Sequence, residues 1–555
     1  MPERQGQEGY YRFCPGEERF KLSDAVCRGR RRGHYPKCKG CQFNEDERVG
    51  GPRASTAATG AAALPSPPPS AAAAPTARPA SPKRDQIETL FKANDIRGVY
   101  PDPLSAESAW RIGMAIAQFL RSELRGYDRG RPDKSTVIVG RDMRRSSPDL
   151  AEALIGGLQA GGAAVIDIGM VDTPQLYFAV NRLVCCGGVQ VTASHNPGNY
   201  NGFKICGQKA RPVSADTGLS KIGKIAKNTL RHSGTAQAGR EARDLTSDYK
   251  AFVRAFLKEE GHLVNGDRPF QVVVDASNGM AGRWFPVLFG DIDWLEVVPL
   301  NFEHNGEFVH EPDPIDEANL AQLRDRMVRS KADLGICFDG DADRCILVDG
   351  QGNPVRGDLV TALLAPYFLR EFPNSTVVYD VRSSRVVPEE IRKGGGQPRR
   401  ERCGHAFVKK TLADTRGAFA GELSGHYYFR ENFFCDSAMI AFAEVLNLLN
   451  LTGQPLGELI APLRRYASSG QITFRCQDPK ATFKHLAREY ADAEIDYLDG
   501  ITVQYEDWWF NVRQTITLDE PVVRVSVETF GQKALDARIE EVCRKMEEAG
   551  NARLS

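Results

Sequence analysis

No segment of this 555-residue chain is apolar for long enough to cross a bilayer. A spanning helix needs about 18 consecutive apolar residues, and the best stretches, such as Thr361–Leu369, are short and broken by proline. Neither sign of charge is in excess, because Lys+Arg and Asp+Glu both number 72. A global field that would draw the chain to nucleic acid or to a membrane surface is therefore absent. No cleavable signal peptide opens the sequence, and nine of the 13 cysteines are scattered from Cys185 to Cys543, mostly inside apolar runs. That usage is not a disulfide framework and fits a reduced cytoplasm.

The length is too great for one hydrophobic core and implies several compact domains. Residues 1–48 are polar and carry Cys14, Cys27, Cys38 and Cys41; residues 49–85 are almost entirely Ala, Pro, Ser, Thr and Gly. The second stretch cannot bury a core and reads as a flexible linker with polyproline character. After it, short β-branched runs alternate with longer amphipathic segments, the pattern of α/β units. Thr136–Gly140, Ala164–Ile168 and Gly188–Val191 are expected strands, with helices near Pro148–Gly161 and Pro174–Asn181. Further on, Gln271–Asp275, Leu334–Phe338 and Thr376–Tyr379 are expected strands and Ser437–Leu449 an amphipathic helix. The tail has strands around Ile501–Tyr505, Trp509–Val512 and Val522–Glu528 before a helix from Leu535. The expected division is 86–240, 241–346 and 347–462 as three α/β units of repeated topology, followed by an α+β domain over 463–555.

Three short runs carry chemistry. Thr192-Ala193-Ser194-His195-Asn196-Pro197-Gly198, followed by Asn201-Gly202-Phe203-Lys204, comes directly after the strand ending at Val191. Open α/β sheets place their ligands at such carboxyl ends, although the same residue types also build ordinary turns. Asp339-Gly340-Asp341-Ala342-Asp343-Arg344 follows the buried-type strand Leu334–Phe338. Three carboxylates at alternate positions repel unless a hard dication joins them, so a Mg²⁺ site is the natural reading. The longer loop and terminal Glu of a calcium EF-hand are missing. Gly421-Glu422-Leu423-Ser424-Gly425-His426 offers a carboxylate, a hydroxyl and an imidazole, a set suited to sugar hydroxyls.

In this order and spacing, TASHNPGNYNGFK, DGDADR and GELSGH resemble the alpha-D-phosphohexomutases, and GELSGH is most similar to their phosphomannomutase/phosphoglucomutase branch. Asn94-Asp95-Ile96-Arg97-Gly98, Gly140-Arg141-Asp142 and Arg145-Ser146-Ser147-Pro148 agree, and the resemblance covers about residues 88–545. It implies three tandem α/β domains with mixed sheets plus a C-terminal α+β domain, heart-shaped around a central cleft. It also implies an enzyme that moves a phosphoryl group between the 1- and 6-hydroxyls of a hexose phosphate, with mannose or glucose as the sugar. Ser194 would be the phosphoserine and, with Asp339, Asp341 and Asp343, a Mg²⁺ ligand; a hexose 1,6-bisphosphate would prime it. Arg97, Arg344 and Lys204 match positions near the transferring phosphoryl, and Lys204 or His405 is the expected acid–base group. Arg402, Glu422, Ser424 and His426 are the expected sugar ligands.

The resemblance breaks in the last domain. Where the family has a Ser/Thr/Gly-rich phosphate loop, this chain has Arg513-Gln514-Thr515-Ile516-Thr517-Leu518-Asp519-Glu520-Pro521. Arg513, Thr515 and Thr517 keep the expected phosphate-binding role, but Asp519 would repel a phosphate. Asn94 stands where the family more often has an aromatic residue. The N-terminal cysteines have spacings compatible with a structural Zn²⁺, with His34 as an alternative ligand, and the arginines and lysines between them are more simply a solvated face than a nucleic-acid site. Two other readings remain: a phosphoglucosamine mutase, which would usually have Gln in place of Leu423, and a catalytically weakened mutase fold acting as a binding or regulatory module.

Overall fold

The computed structural model describes residues 11–14, 17–23, 86–124, 132–231, 238–258, 268–517 and 520–554. The chain divides into two compact units, Met1–Ser81 and Pro82–Ser555. In the first, β1 (Tyr11–Cys14) and β2 (Glu17–Ser23) form an antiparallel hairpin. Cys14 ends β1; Cys27, Cys38, Cys41 and His34, with the whole of 49–85, lie outside the described residues.

The second unit holds four sheets. The first contains β3 (Ile96–Val99), β4 (Thr136–Arg141), β5 (Ala164–Met170), β6 (Gly187–Val191), β7 (Tyr200–Gly207) and β8 (Arg240–Ala242), in the order β3-β7-β6-β4-β5-β8. The second contains β9 (Phe270–Asp275), β10 (Leu295–Leu300), β11 (Leu334–Phe338), β12 (Cys345–Val348) and β13 (Pro354–Val355), ordered β10-β9-β11-β12-β13. The third contains β14 (Thr376–Asp380), β15 (Gln397–Glu401), β16 (Phe419–Gly421), β17 (Tyr427–Phe429) and β18 (Cys435–Asp436), ordered β15-β14-β16-β17-β18. Four strands of each sheet repeat one topology (β5-β4-β6-β7, β10-β9-β11-β12 and β15-β14-β16-β17); the first sheet differs at its edges, where β3 and β8 are added. In each, a central strand (β6, β11, β16) runs parallel to one neighbour and then turns back into an antiparallel partner (β7, β12, β17). The three motif loops are those three turns.

The strands form where the sequence has apolar residues for both faces. All five residues of β6 and of β11 are buried, as expected of strands covered by helices on both sides. The helix Ala438–Thr452 is apolar nearly all round and has a polar cap at its start, where Ser437 Oγ accepts from the Ile440 N–H at 3.2 Å. It is buried on every face over its first three turns. Its Phe442 packs at ring-centroid distances of 5.0 Å from Phe285 and 5.1 Å from Phe289. One continuous core consequently runs through all three α/β sheets.

The fourth sheet is antiparallel and has its own core around Phe474, Trp508 and Phe510. It contains β19 (Ala467–Ser468), β20 (Ile472–Arg475), β21 (Glu494–Asp496), β22 (Ile501–Gln504), β23 (Trp508–Thr517), β24 (Glu520–Thr529) and β25 (Ala552–Leu554). Arg385 ties it to the third domain. Its guanidinium donates to the carbonyls of Glu506 at 2.7 Å, Trp508 at 3.1 Å and Tyr505, and its backbone N–H donates to Glu528 Oε1 at 3.0 Å.

Two expected boundaries are corrected. The division at 240/241 cuts β8, which pairs with β5 in the first sheet; Arg240–Ala242 is a fully exposed polar edge strand that leaves no apolar signature. The division at 346/347 cuts β12, which together with β13 completes the second sheet. The expected loop at 513–521 is also corrected. Residues Trp508–Thr517 and Glu520–Thr529 form one long hairpin paired as far as Thr517↔Glu520. Val, Thr and Ile at these positions favour extended pairing over an open loop.

Glu444, on the core helix, is 6 % exposed, and its carboxylate accepts from Asn447 Nδ2 at 2.9 Å. Burial pushes its pKa from 4.5 up to about 7, so the folded state keeps a proton that the unfolded chain releases. The contribution of this group to stability is accordingly full below pH 4.5 and falls as pH rises towards 7. Glu444→Gln should raise stability at pH 8 by about 1–3 kcal/mol and leave it unchanged near pH 4, as read by denaturant unfolding at the two pH values.

Candidate active site

The loop after β6 is built around Ser194, which has a left-handed backbone (φ 51°) and is 2 % exposed. Such a conformation is uncommon for a residue with a Cβ and persists where the surroundings over-determine it. Here the determinant is Arg144. Its guanidinium, also buried, donates to the carbonyls of Ser194 at 2.8 Å, Asn196 at 2.6 Å, Pro197 at 2.7 Å and Tyr200 at 3.1 Å. Asp142 balances its charge at 3.2 Å. Arg97 holds the same loop from another side, donating to the Ala193 carbonyl at 3.2 Å and to the Asn196 side chain, with Asp95 as its counter-ion at 2.8 Å. The Ser194 N–H donates to Thr192 Oγ1 at 2.9 Å.

The loop after β11 meets this one closely. A Cβ at Gly340 would lie 2.4 Å from the Ser194 carbonyl oxygen, so only glycine permits the approach. Ser194 Oγ donates to Asp339 Oδ2 at 2.7 Å and lies 3.3 Å from His195 Nδ1. Asp339, Asp341 and Asp343 have no solvent exposure, and one oxygen from each lies within 4.8 Å of the others. Lys204, on β7, places its ammonium 2.7 Å from Asp341 Oδ2 and also on Asp343. Thr173 Oγ1 donates to Asp341 at 2.5 Å. Arg344 Nε donates to Asp339 Oδ2 at 3.0 Å, and its Nη2 is buried without a hydrogen-bond partner among the described residues.

Burial, with repulsion from Asp341 second, pushes the Asp339 carboxyl up to about 7. Burial also raises Asp341, but the Lys204 ammonium outweighs it and holds that carboxyl low. Oδ1 of Asp341 and of Asp343 are buried without hydrogen-bond partners among the described residues. Oxygen donors that converge, carry excess negative charge and lack protein partners are what a small hard dication requires. The three aspartates therefore fit a metal.

The third loop joins the second through an isolated bridge between Arg344 and His426. Each carboxylate oxygen of Glu422 accepts one protein hydrogen bond, Oε2 from the Gly404 N–H at 3.1 Å and Oε1 from the Tyr428 hydroxyl, which leaves acceptor capacity on both. Ser424 Oγ is buried and has no partner among the described residues. His426 Nδ1 lies 2.9 Å from Asp436 Oδ2, and the other Asp436 oxygen lies 2.7 Å from Lys409 Nζ. The His405 ring is centred 6.1 Å from that of His426, with both nitrogens buried and unpartnered among the described residues. Burial and the nearby Lys409 and Lys204 ammoniums hold His405 neutral, well below the ordinary histidine pKa. For His426, burial is outweighed by Asp343 and Asp436, which hold its pKa above the ordinary value.

Seven of the expected residues thus gather in one continuous network: Ser194, Lys204, Asp339, Asp341, Asp343, Arg344 and His426. Arg97 borders it, and His405, Glu422 and Ser424 line the sugar-loop side. Arg402 is not in the network. It is bound outward, its guanidinium 3.8 Å over the Phe407 ring and 3.6 Å from Asp216. Arg513 and Thr515 stand on β23, where Arg513 is the cross-strand partner of Arg524; Thr517 ends the same strand. Sequence reading passed over Arg144, Thr173, Lys409 and Asp436. Asp142 and Arg144, a charged pair two residues apart beyond an apolar strand, were a legible sign; so was Asp436, set immediately before the apolar helix Ala438–Thr452.

Comparison with known proteins decides the family. Residues 88–232, 250–352 and 356–466 match, in order, the families described as phosphoglucomutase/phosphomannomutase alpha/beta/alpha domains I, II and III. The chain belongs to the phosphoglucomutase/phosphomannomutase family. It is 36 % identical to the phosphohexose mutases of Xanthomonas campestris pv. campestris strain B100 over 457 residues, 81 % of this chain and 98 % of that one. It is 33 % identical to the phosphomannomutase of Methanocaldococcus jannaschii over 463 residues, 82 % and 96 % of the two chains. Among solved structures, a phosphoglucomutase/phosphomannomutase family protein of Burkholderia thailandensis aligns with TM-score 0.72 at 30 % identity, covering 83 % of this chain and 98 % of its own. A Paramecium parafusin shares the fold, with TM-score 0.66 at 18 % identity over 83 % of this chain and 95 % of its own. As a member of the family the chain is an isomerase of the phosphohexomutase type.

Arg144→Ala should cost about 3–5 kcal/mol of stability, because it strands the buried Asp142 carboxylate. Arg144→Lys keeps the charge but cannot span four carbonyls, so turnover should fall at least tenfold in a protein whose unfolding midpoint shows that it is folded. Asp341→Asn should abolish the gain in melting temperature that the native chain shows on addition of Mg²⁺, a gain expected because ligands that bind only the folded state stabilise it.

Proposed function

We propose that the chain interconverts hexose 1-phosphate and hexose 6-phosphate, with mannose and glucose as its sugars, through phosphorylated Ser194. The observation that carries this is the position of Ser194 Oγ, 2.7 Å from Asp339 within a cluster of three buried aspartates, Lys204 and Arg344. Asp339, Asp341, Asp343 and an oxygen of phosphorylated Ser194 would hold Mg²⁺. That ion, when bound, neutralises the charge spread over the transferring phosphoryl group.

In the first half-reaction the bond from Ser194 Oγ to phosphorus breaks and a bond from the free sugar hydroxyl oxygen to phosphorus forms, while the hydroxyl gives up its proton. Arg344, Lys204 and Arg97 face the anionic oxygens. Lys204, held as an ammonium by two aspartates, is better placed as a charge than as a base, despite the burial that works against its charge. Proton exchange falls to His405 and His426, the second oriented by Asp436. The bisphosphorylated sugar then presents its other end and returns a phosphoryl to Ser194; hexose 1,6-bisphosphate from solution primes the serine. Ser424 and Glu422 read the sugar hydroxyls.

The phosphate that is not being transferred falls to Arg513 and its cross-strand partner Arg524, whose Nε is buried without a partner among the described residues. The regular hairpin at 513–521 is the observation that favours the weakened-mutase reading. Nine free cysteines among the described residues, all but Cys403 buried, are in keeping with a cytoplasmic setting.

Turnover of mannose 1-phosphate and glucose 1-phosphate, with Mg²⁺ and a trace of hexose bisphosphate, tests the proposal. Ser194→Ala should lose at least a thousandfold in rate and take up no label from phosphoryl-labelled bisphosphate. Near-native turnover by that variant would refute the phosphoserine route, and inactivity of the native chain with both sugars would favour the weakened mutase.

A further inference from the structure

A second cavity, of about 1380 Å³, opens between the first and third domains; Ser194, the three aspartates and the GELSGH loop do not line it. Its volume exceeds the few hundred to a thousand cubic ångströms typical of small-molecule pockets. One wall is the turn after β7, which carries Lys209 and Arg211; the other is the helix His405–Thr415 with the residues that follow it, carrying Lys410 and Arg416. Seven cationic side chains line the cavity against three carboxylates. Those of Lys209, Arg211 and Arg416 have no carboxylate partner among the described residues. The half-buried rings of Phe407, Phe433 and Phe434 supply flat apolar surface beside this charge.

The backbone around the cavity is strained on both sides. Lys209 and Ala210 on one wall have φ values of 58° and 53°, and Phe433 and Phe434 on the other have 56° and 63°. Strained residues held by their surroundings cluster at ligand clamps and switch regions. The cavity also reaches the catalytic network. Lys409 lines it from the same helix that starts at His405, and its ammonium is the group that holds Asp436 at 2.7 Å, with His426 on the other Asp436 oxygen.

We propose that this cavity is an effector site for a nucleoside diphosphate, with the phosphates on Lys209, Arg211 and Arg416, the base against the phenylalanine rings, and the effect carried to the active site through Lys409. Unpaired cations on two facing walls suit a diphosphate rather than a single carboxylate, and flat apolar rings suit a base. An anion in the cavity competes with Asp436 for Lys409, so occupancy and the position of His426 are linked. The coupling, but not the binding, rests on the mutase reading given above.

The test is calorimetric titration of the full chain with GDP, ADP and inorganic pyrophosphate, with saturating glucose 6-phosphate present to fill the catalytic cleft. A nucleotide should bind with Kd below about 1 mM alongside the sugar phosphate, more tightly than pyrophosphate, and change turnover at least twofold. The Lys209→Ala, Arg211→Ala double variant and Arg416→Ala, altered only at exposed positions, should weaken that binding at least tenfold while keeping nucleotide-free turnover. Displacement by glucose 6-phosphate, equal affinity for pyrophosphate, binding unaffected by the variants, or binding with unchanged turnover would each overturn the proposal. Calorimetric binding is read without turnover, so its failure is distinguishable from failure of the mutase reading.

Discussion

Three carboxylates buried within 4.8 Å of one another are the constraint around which the second unit is organised. Isolated charges are too costly to leave in an apolar interior, so compensation has to come from elsewhere in the chain. Lys204 arrives from the first sheet and Arg344 from the same loop. The bridge between Arg344 and His426 then draws in the third sheet. Each partner that neutralises the aspartates also brings its domain's motif loop to the same point, so electrostatic compensation and assembly of the site are one requirement.

The topology makes that requirement easy to meet. A parallel strand followed by a tight antiparallel return leaves its loop at the carboxyl end of the sheet, where such sheets present residues to ligands. Three copies of the arrangement deliver serine, carboxylates and imidazole on three equivalent turns. The fourth sheet differs in kind, being antiparallel with a separate core, and it is tied to the third domain by Arg385 on three carbonyls, by Arg400 on Asp496 and by the Cys403 N–H on Asp499 Oδ2.

Much of this was legible because the signals are local. Leu334–Phe338 has five buried residues in a row, and the Asp-x-Asp-x-Asp run follows it without a break, so strand and metal loop could be read together. The edge strand Arg240–Ala242 could not be read, since exposed polar residues in an extended conformation look like any loop. The strands Trp509–Val512 and Val522–Glu528 were legible, but not their continuation through the expected loop at 513–521 as far as Thr517↔Glu520, because the Arg and Thr residues there match the resemblance while their pairing partners lie farther along the chain. Arg144 was legible as half of a charged pair with Asp142, but its role was not: that lies in four carbonyls 50 to 56 residues away, and backbone acceptors carry no residue identity. Arg402 is an expected sugar ligand because Arg402-Cys403-Gly404-His405 resembles the family's sugar-recognition loop, whereas its guanidinium lies over the Phe407 ring and near Asp216.

The shared core has a consequence for how the protein is made. Helix Ala438–Thr452 lies late in the chain, yet its phenylalanine closes the packing against rings contributed by the second domain. A chain emerging from the ribosome has therefore completed the sheet of the second domain before it supplies the segment that packs against its Phe285 and Phe289. Domains usually finish folding in the order of synthesis; the first domain has a core drawn from its own residues, whereas the packing around Phe285 and Phe289 in the second is completed only when the late helix arrives.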